Sequence, residues 1–161
     1  MRVNIDDDES IIASLPKIWG IALGWMGFFH KSKEGVLALT NKNIIFAPRY
    51  LYITSKEREK YFGDDKARVT KLIRYSEADL DEDVSKNQSS LIVPLKSVVD
   101  VRSVTIRRVN FLRISFKDHN NKEKKYDFGI TKSVMNYPQR QPLMYYNLDW
   151  SLWVSLIKSY F

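Results

Sequence analysis

The sequence predicts a mainly β domain: a partly open antiparallel barrel of about seven strands, capped by one C-terminal α-helix, with a long insertion between strands three and four. Three observations predict it. Gly35-Val-Leu-Ala-Leu-Thr-Asn-Lys-Asn-Ile-Ile-Phe46 sets two apolar β-forming runs either side of a polar centre, which reads as a hairpin. Leu112, Ile114 and Phe116 alternate with Arg113, Ser115 and Lys117, the period of two of a half-buried strand. Trp150, Trp153, Val154, Ile157 and Phe161 fall on one helical stripe at the end of the chain.

Taken in order, Asp6-Asp-Asp-Glu9 reads as a flexible acidic terminus, and Ser10 to Pro16 as a first strand that Pro16 ends or marks as an edge. Ile18 to Phe29 mixes bulky aromatics with Gly20, Gly24 and Gly27, which weaken regular structure, so it is expected to be an apolar connection into the hairpin. In the hairpin, Asn41 and Asn43 tolerate the positive φ of a tight reversal. Residues 50–89 are charged and poorly periodic. They predict a helix from Ser55 to Phe62 opening at Thr54 or Ser55, a second over Lys66 to Tyr75, and an exposed acidic loop from Asp79 to Ser90. Strands return at 90–95, 98–107, 110–117 and 122–130, with Asp118 to Lys122 as a turn and Tyr126, Phe128 and Ile130 facing inward. A linker carrying Pro138 and Pro142 leads to the last helix, with Asn147 or Asp149 as its N-cap. All 161 residues are expected to form a single domain, and 44% apolar composition supplies its core.

The bulk numbers narrow the function classes. A net charge of +7 favours anionic partners. The absence of cysteine excludes thiol catalysis, thiolate zinc sites and disulfides, and suits a reducing cytoplasm. No secretory signal is visible at the acidic start, and the longest apolar run, about 12 residues, falls short of the roughly 20 that span a bilayer as a helix. Asp79-x-Asp81-x-Asp83 begins like a calcium loop but carries Val84 where glycine is needed and Ser90 where the bidentate glutamate belongs, so no metal is expected. His30 and His119 lie in no catalytic motif, and no nucleophile elbow, phosphate loop or dinucleotide fingerprint is present, so neither an enzyme nor a cofactor is expected. Nucleic acid is disfavoured, because the aromatics alternate into the core instead of interleaving with arginine.

The hairpin of residues 35–46, the run Leu91-Ile-Val-Pro-Leu-Lys-Ser-Val-Val-Asp-Val101, and Trp150 or Trp153 in the closing helix together resemble a pleckstrin-homology-like (PH-like) domain, closest to GRAM and bacterial PH-type domains. The resemblance implies a binding module. It also implies that the loops after strands one, three and six share one open end, gathering Lys31, Lys33, Lys122, Lys124 and Lys125 as an anion or lipid site, with Arg107 and Arg108 toward the other end. Trp25, Met26, Phe28 and Phe29, with Trp19, are either buried or a self-association surface, or else a wedge for lipid headgroups. The expected function is a protein-interaction or self-associating module in the cytoplasm; the alternative is peripheral attachment to anionic membrane lipid through the open-end loops.

Overall fold

The computed structural model describes residues 2–24, 33–135 and 141–161. Its strands are β1 (Ile11–Ala22), β2 (Lys33–Thr40), β3 (Asn43–Pro48), β4 (Leu91–Pro94), β5 (Val98–Ile106), β6 (Val109–Lys117), β7 (Glu123–Met135) and β8 (Gln141–Tyr145), and its helices are α1 (Ser55–Phe62), α2 (Glu77–Lys86) and α3 (Ser151–Lys158). The eight strands make one open antiparallel sheet in the order β4-β3-β2-β1-β7-β6-β5, with β8 beside β7.

The hairpin forms with β2 and β3 in register from Gly35 opposite Pro48 to Leu39 opposite Ile44. Its turn does not use positive φ at Asn41 or Asn43. The Thr40 hydroxyl does the work instead: it accepts the Lys42 and Asn43 N–H at 3.1 and 2.9 Å and donates to Glu9 Oε2 at 2.6 Å. Gly35 is required by close approach, since a Cβ there would lie 2.4 Å from the Ala47 carbonyl oxygen.

β1 is longer than Ser10 to Pro16. The register shifts between Leu15 and Ile18, and Lys17 takes φ 57°, so a bulge absorbs Pro16 and the strand runs on through Trp19 to Ala22. The first part of the expected apolar connection, Ile18 to Ala22, is therefore strand. Ile18 and Trp19 are buried, and Gly20 makes room on the core side for Phe46 and Phe128.

Residues between β3 and β4 pack against the sheet. α1 starts where expected, capped by the Thr54 hydroxyl accepting the Glu57 N–H. Lys66 to Tyr75 is not helical, because its backbone groups are committed elsewhere. Thr70 accepts the Ser14 N–H, Leu72 donates to the Ser14 hydroxyl, and Ala67 donates to the Asp149 carbonyl. The expected acidic loop is in fact α2, opened by a reciprocal Ser76/Asp79 capping box. Its Asp81 and Asp83 are buried. Asp81 accepts the N–H groups of Val3, Asn4 and Ile5 at 2.6 to 3.1 Å, Glu77 accepts that of Ile11, and Glu9 is buried against Thr40 and Asn43. The acidic N-terminal segment is thus docked, not free.

The C-terminal helix buries Trp153 and Ile157, with Trp150 at its start, but Val154 is only partly buried and Phe161 is exposed. Asp149 is not its N-cap: Trp150 holds that position, while Asp149 accepts the Ser151 N–H and Asn147 turns away to accept that of Asn110. The stretch around Pro142, expected as linker, is β8 paired with the end of β7. Tyr126 is half-buried, whereas Phe128 and Ile130 are fully inside.

Candidate functional site: a lysine-lined cleft

The β6–β7 turn is built by Asp118. Its carboxylate accepts the N–H groups of Asn120 and Lys122 at 2.9 Å, its own N–H donates to the Lys122 carbonyl, and Asn121 adopts φ 60° to close the reversal. The Lys122 N–H bond leads, aided by that of Asn120 and by the Lys124 ammonium at 3.4 Å, in holding this carboxyl below the usual aspartate range. The turn is a fixed scaffold carrying cations.

The end of β1 lies beside it, tied by the Leu23 N–H to the Lys125 carbonyl at 3.0 Å. Between them is a cleft of about 520 Å³, lined by Ala22, Leu23 and Gly24 from the end of β1 and by Asp118, Asn120, Lys122, Glu123, Lys124, Lys125 and Tyr126 from the turn and β7. Lys122 is exposed and Lys124 and Lys125 are half-buried. A second cleft, of about 380 Å³, shares Asp118, Lys124 and Tyr126 and is also lined by Leu91, Ile92 and Pro94 of β4 and by Lys117 and His119. Its floor is aromatic: the Phe116 and Tyr126 rings stack 6.0 Å apart, and burial raises the Tyr126 hydroxyl.

Of the lysines expected to converge, Lys122, Lys124 and Lys125 share the first cleft. Lys33 begins β2 opposite Gly20. Trp25, Met26, Phe28, Phe29, His30 and Lys31 lie outside the described residues. Arg107 and Arg108 form the β5–β6 turn at the opposite end of β6, both at positive φ. Asp118 and Tyr126 were not anticipated as part of the site. A turn aspartate followed by Asn120-Asn121 was the readable signal for the first, and the inward parity of Tyr126 for the second.

The cations face an opposing charge. Lys124 leans on Asp118, and Glu123 also lines the cleft, so three cations meet two anions and the cleft carries a modest excess of positive charge. Such a site holds an anion by point charge and hydrogen bond. Among the described residues there is no group of three or more His, Cys, Asp or Glu placed to hold a metal ion, and no helix is long and apolar enough to cross a membrane. No protein-family model and no curated protein matches the chain.

Proposed function

We propose that the chain is a non-catalytic, PH-like binding module that attaches to the phosphate headgroups of an anionic membrane through the β6–β7 turn and the end of β1. The fold part of this reading is supported by consecutive pairing of β1 through β4, the β5-β6-β7 meander joined to it through β1, and a closing helix with buried tryptophans. The binding part rests on one observation: turn and strand end place Lys122, Lys124 and Lys125 around a single cleft.

The chain around that cleft suits an interface. Gly24 lines it and leads directly into the sequence Trp25-Met-Gly-Phe-Phe-His-Lys31, which combines apolar insertion with cations. A lysine near an anionic surface contributes about 1 kcal/mol, so replacing three lowers affinity by roughly two orders of magnitude at low salt. Sedimentation with phosphatidylcholine vesicles, with and without phosphatidylserine, tests this. Binding is expected only with the anionic lipid, to weaken as salt rises, and to be lost in a Lys122→Gln, Lys124→Gln, Lys125→Gln variant. Equal sedimentation by that variant overturns the proposal.

A protein-interaction reading is favoured by a separate observation, the long edge strand β5, which pairs only with β6 among the described residues. An exposed edge is a template for another strand.

A further inference from the structure

Among the described residues the sheet ends in three strands with a free side, and they differ in how that side is guarded. β4 spans only Leu91–Pro94 and ends in proline, and β8, Gln141–Tyr145, contains Pro142. Short length and proline are devices that discourage strand addition. β5 has neither. Its nine residues, Val-Val-Asp-Val-Arg-Ser-Val-Thr-Ile, are mostly β-branched, contain no proline or lysine, and leave Val99 and Ile106 exposed.

From this edge we infer that β5 is the docking surface for a second copy of the chain, the two β5 strands pairing antiparallel about a two-fold axis centred on Val101. The inference rests on the interaction reading above and names its partner.

The charges on β5 select that partner and that register. Asp100 lies opposite Ser115 and Arg102 opposite Arg113, so both project from the face that carries the Arg113–Asp127 pair, away from the side on which Val101 is buried with Ile114. They are 44% and 56% exposed and only loosely paired within the strand, 3.5 Å apart. In an antiparallel two-fold pair each residue must oppose one pointing to the same face, which limits the axis to passing through a residue. Centred on Asp100, the pairing sets aspartate against aspartate. Centred on Arg102, it sets arginine against arginine. Centred on Val101, it sets Asp100 of each copy directly across from Arg102 of the other, twice, at the short separation of cross-strand neighbours. The neighbouring helix offers continuity for the contact, since α3 packs along β5 and carries exposed Leu152, with exposed Tyr160 and Phe161 just past its end.

Sedimentation equilibrium on wild type, Asp100→Arg, Arg102→Asp and the double exchange tests the inference, with circular dichroism to confirm folding. Wild type is expected to dimerise at submillimolar concentration. Each single exchange turns both attractive pairs into repulsive ones and is expected to raise the dimer dissociation constant roughly tenfold or more. The double exchange restores both pairs and is expected to recover the wild-type value. It keeps the test decisive even where a single exchange loses its fold, because a folded but monomeric double variant overturns the inference. A wild-type dimer indifferent to the single exchanges overturns β5 pairing while leaving self-association through another surface. A monomeric wild type overturns both.

Discussion

Asp127 and Arg113 face each other across β6 and β7 in a bidentate pair, with the Arg113 Nε 2.8 Å from Oδ1 and a terminal nitrogen 2.9 Å from Oδ2. Asp127 is 1% exposed, so the carboxylate has exchanged water almost entirely for one guanidinium. Removing either partner strands a charge. Asp127→Ala is expected to destabilise the fold by about 3 kcal/mol, read as a shift in the urea unfolding midpoint without a change in slope. Replacing both residues with apolar side chains of similar volume is expected to cost much less.

The closing helix supplies a second test. Trp153 is fully buried and its indole N–H donates to the Arg68 carbonyl at 3.0 Å, so it pins the segment after α1 as well as filling the core. Trp153→Ala is expected to cost about 3 to 5 kcal/mol, and Trp153→Phe less, since the ring volume largely survives while the hydrogen bond is lost. Chemical denaturation followed by far-UV circular dichroism checks both.

At Asp81 burial favours the neutral form, but three backbone N–H groups from Val3, Asn4 and Ile5 outweigh it and hold the carboxyl below its ordinary value; Glu77 is held below by the Ile11 N–H. A carboxyl depressed in the folded state contributes stability above its unfolded value and loses that contribution as pH falls through the folded one. The N-terminal segment is therefore expected to detach before the sheet unfolds as pH drops below the ordinary carboxylate range. Hydrogen exchange at Val3, Asn4 and Ile5 should accelerate first, and Asp81→Asn should remove much of that pH dependence.

Where the sequence was readable, the reason was local. Residues 35–46 read as two apolar runs because consecutive residues of β2 and β3 are buried, Leu112, Ile114 and Phe116 recur at every second position because that side of β6 meets the core, and Trp153 and Ile157 keep helical spacing because one side of α3 does. What escaped was set by tertiary partners. Pro16 reads as a stop, yet a bulge at Lys17 carries β1 past it. Asp81 and Asp83 read as solvated until the N-terminal backbone and Arg49 supply their partners, Arg49 lying 3.0 Å from Asp83, while Asp79 is taken up by Ser76 in the capping box. Arg113 and Asp127 both lie on what alternation marks as the wet face, and only register shows that they are neighbours. At the cleft, the lysines were visible as residue types, but their meeting with the end of β1 depends on β1 running to Ala22 and pairing with β7.

The most direct measurement of the proposed function is a backbone amide chemical-shift titration of the protein with a soluble short-chain anionic phospholipid. Saturable, salt-sensitive shifts are expected, centred on Ala22 to Gly24 and on Asp118 to Tyr126 and weakened in the Lys122→Gln, Lys124→Gln, Lys125→Gln variant. Shifts centred instead on the Arg107–Arg108 turn, or none under conditions where the protein is folded, would contradict it.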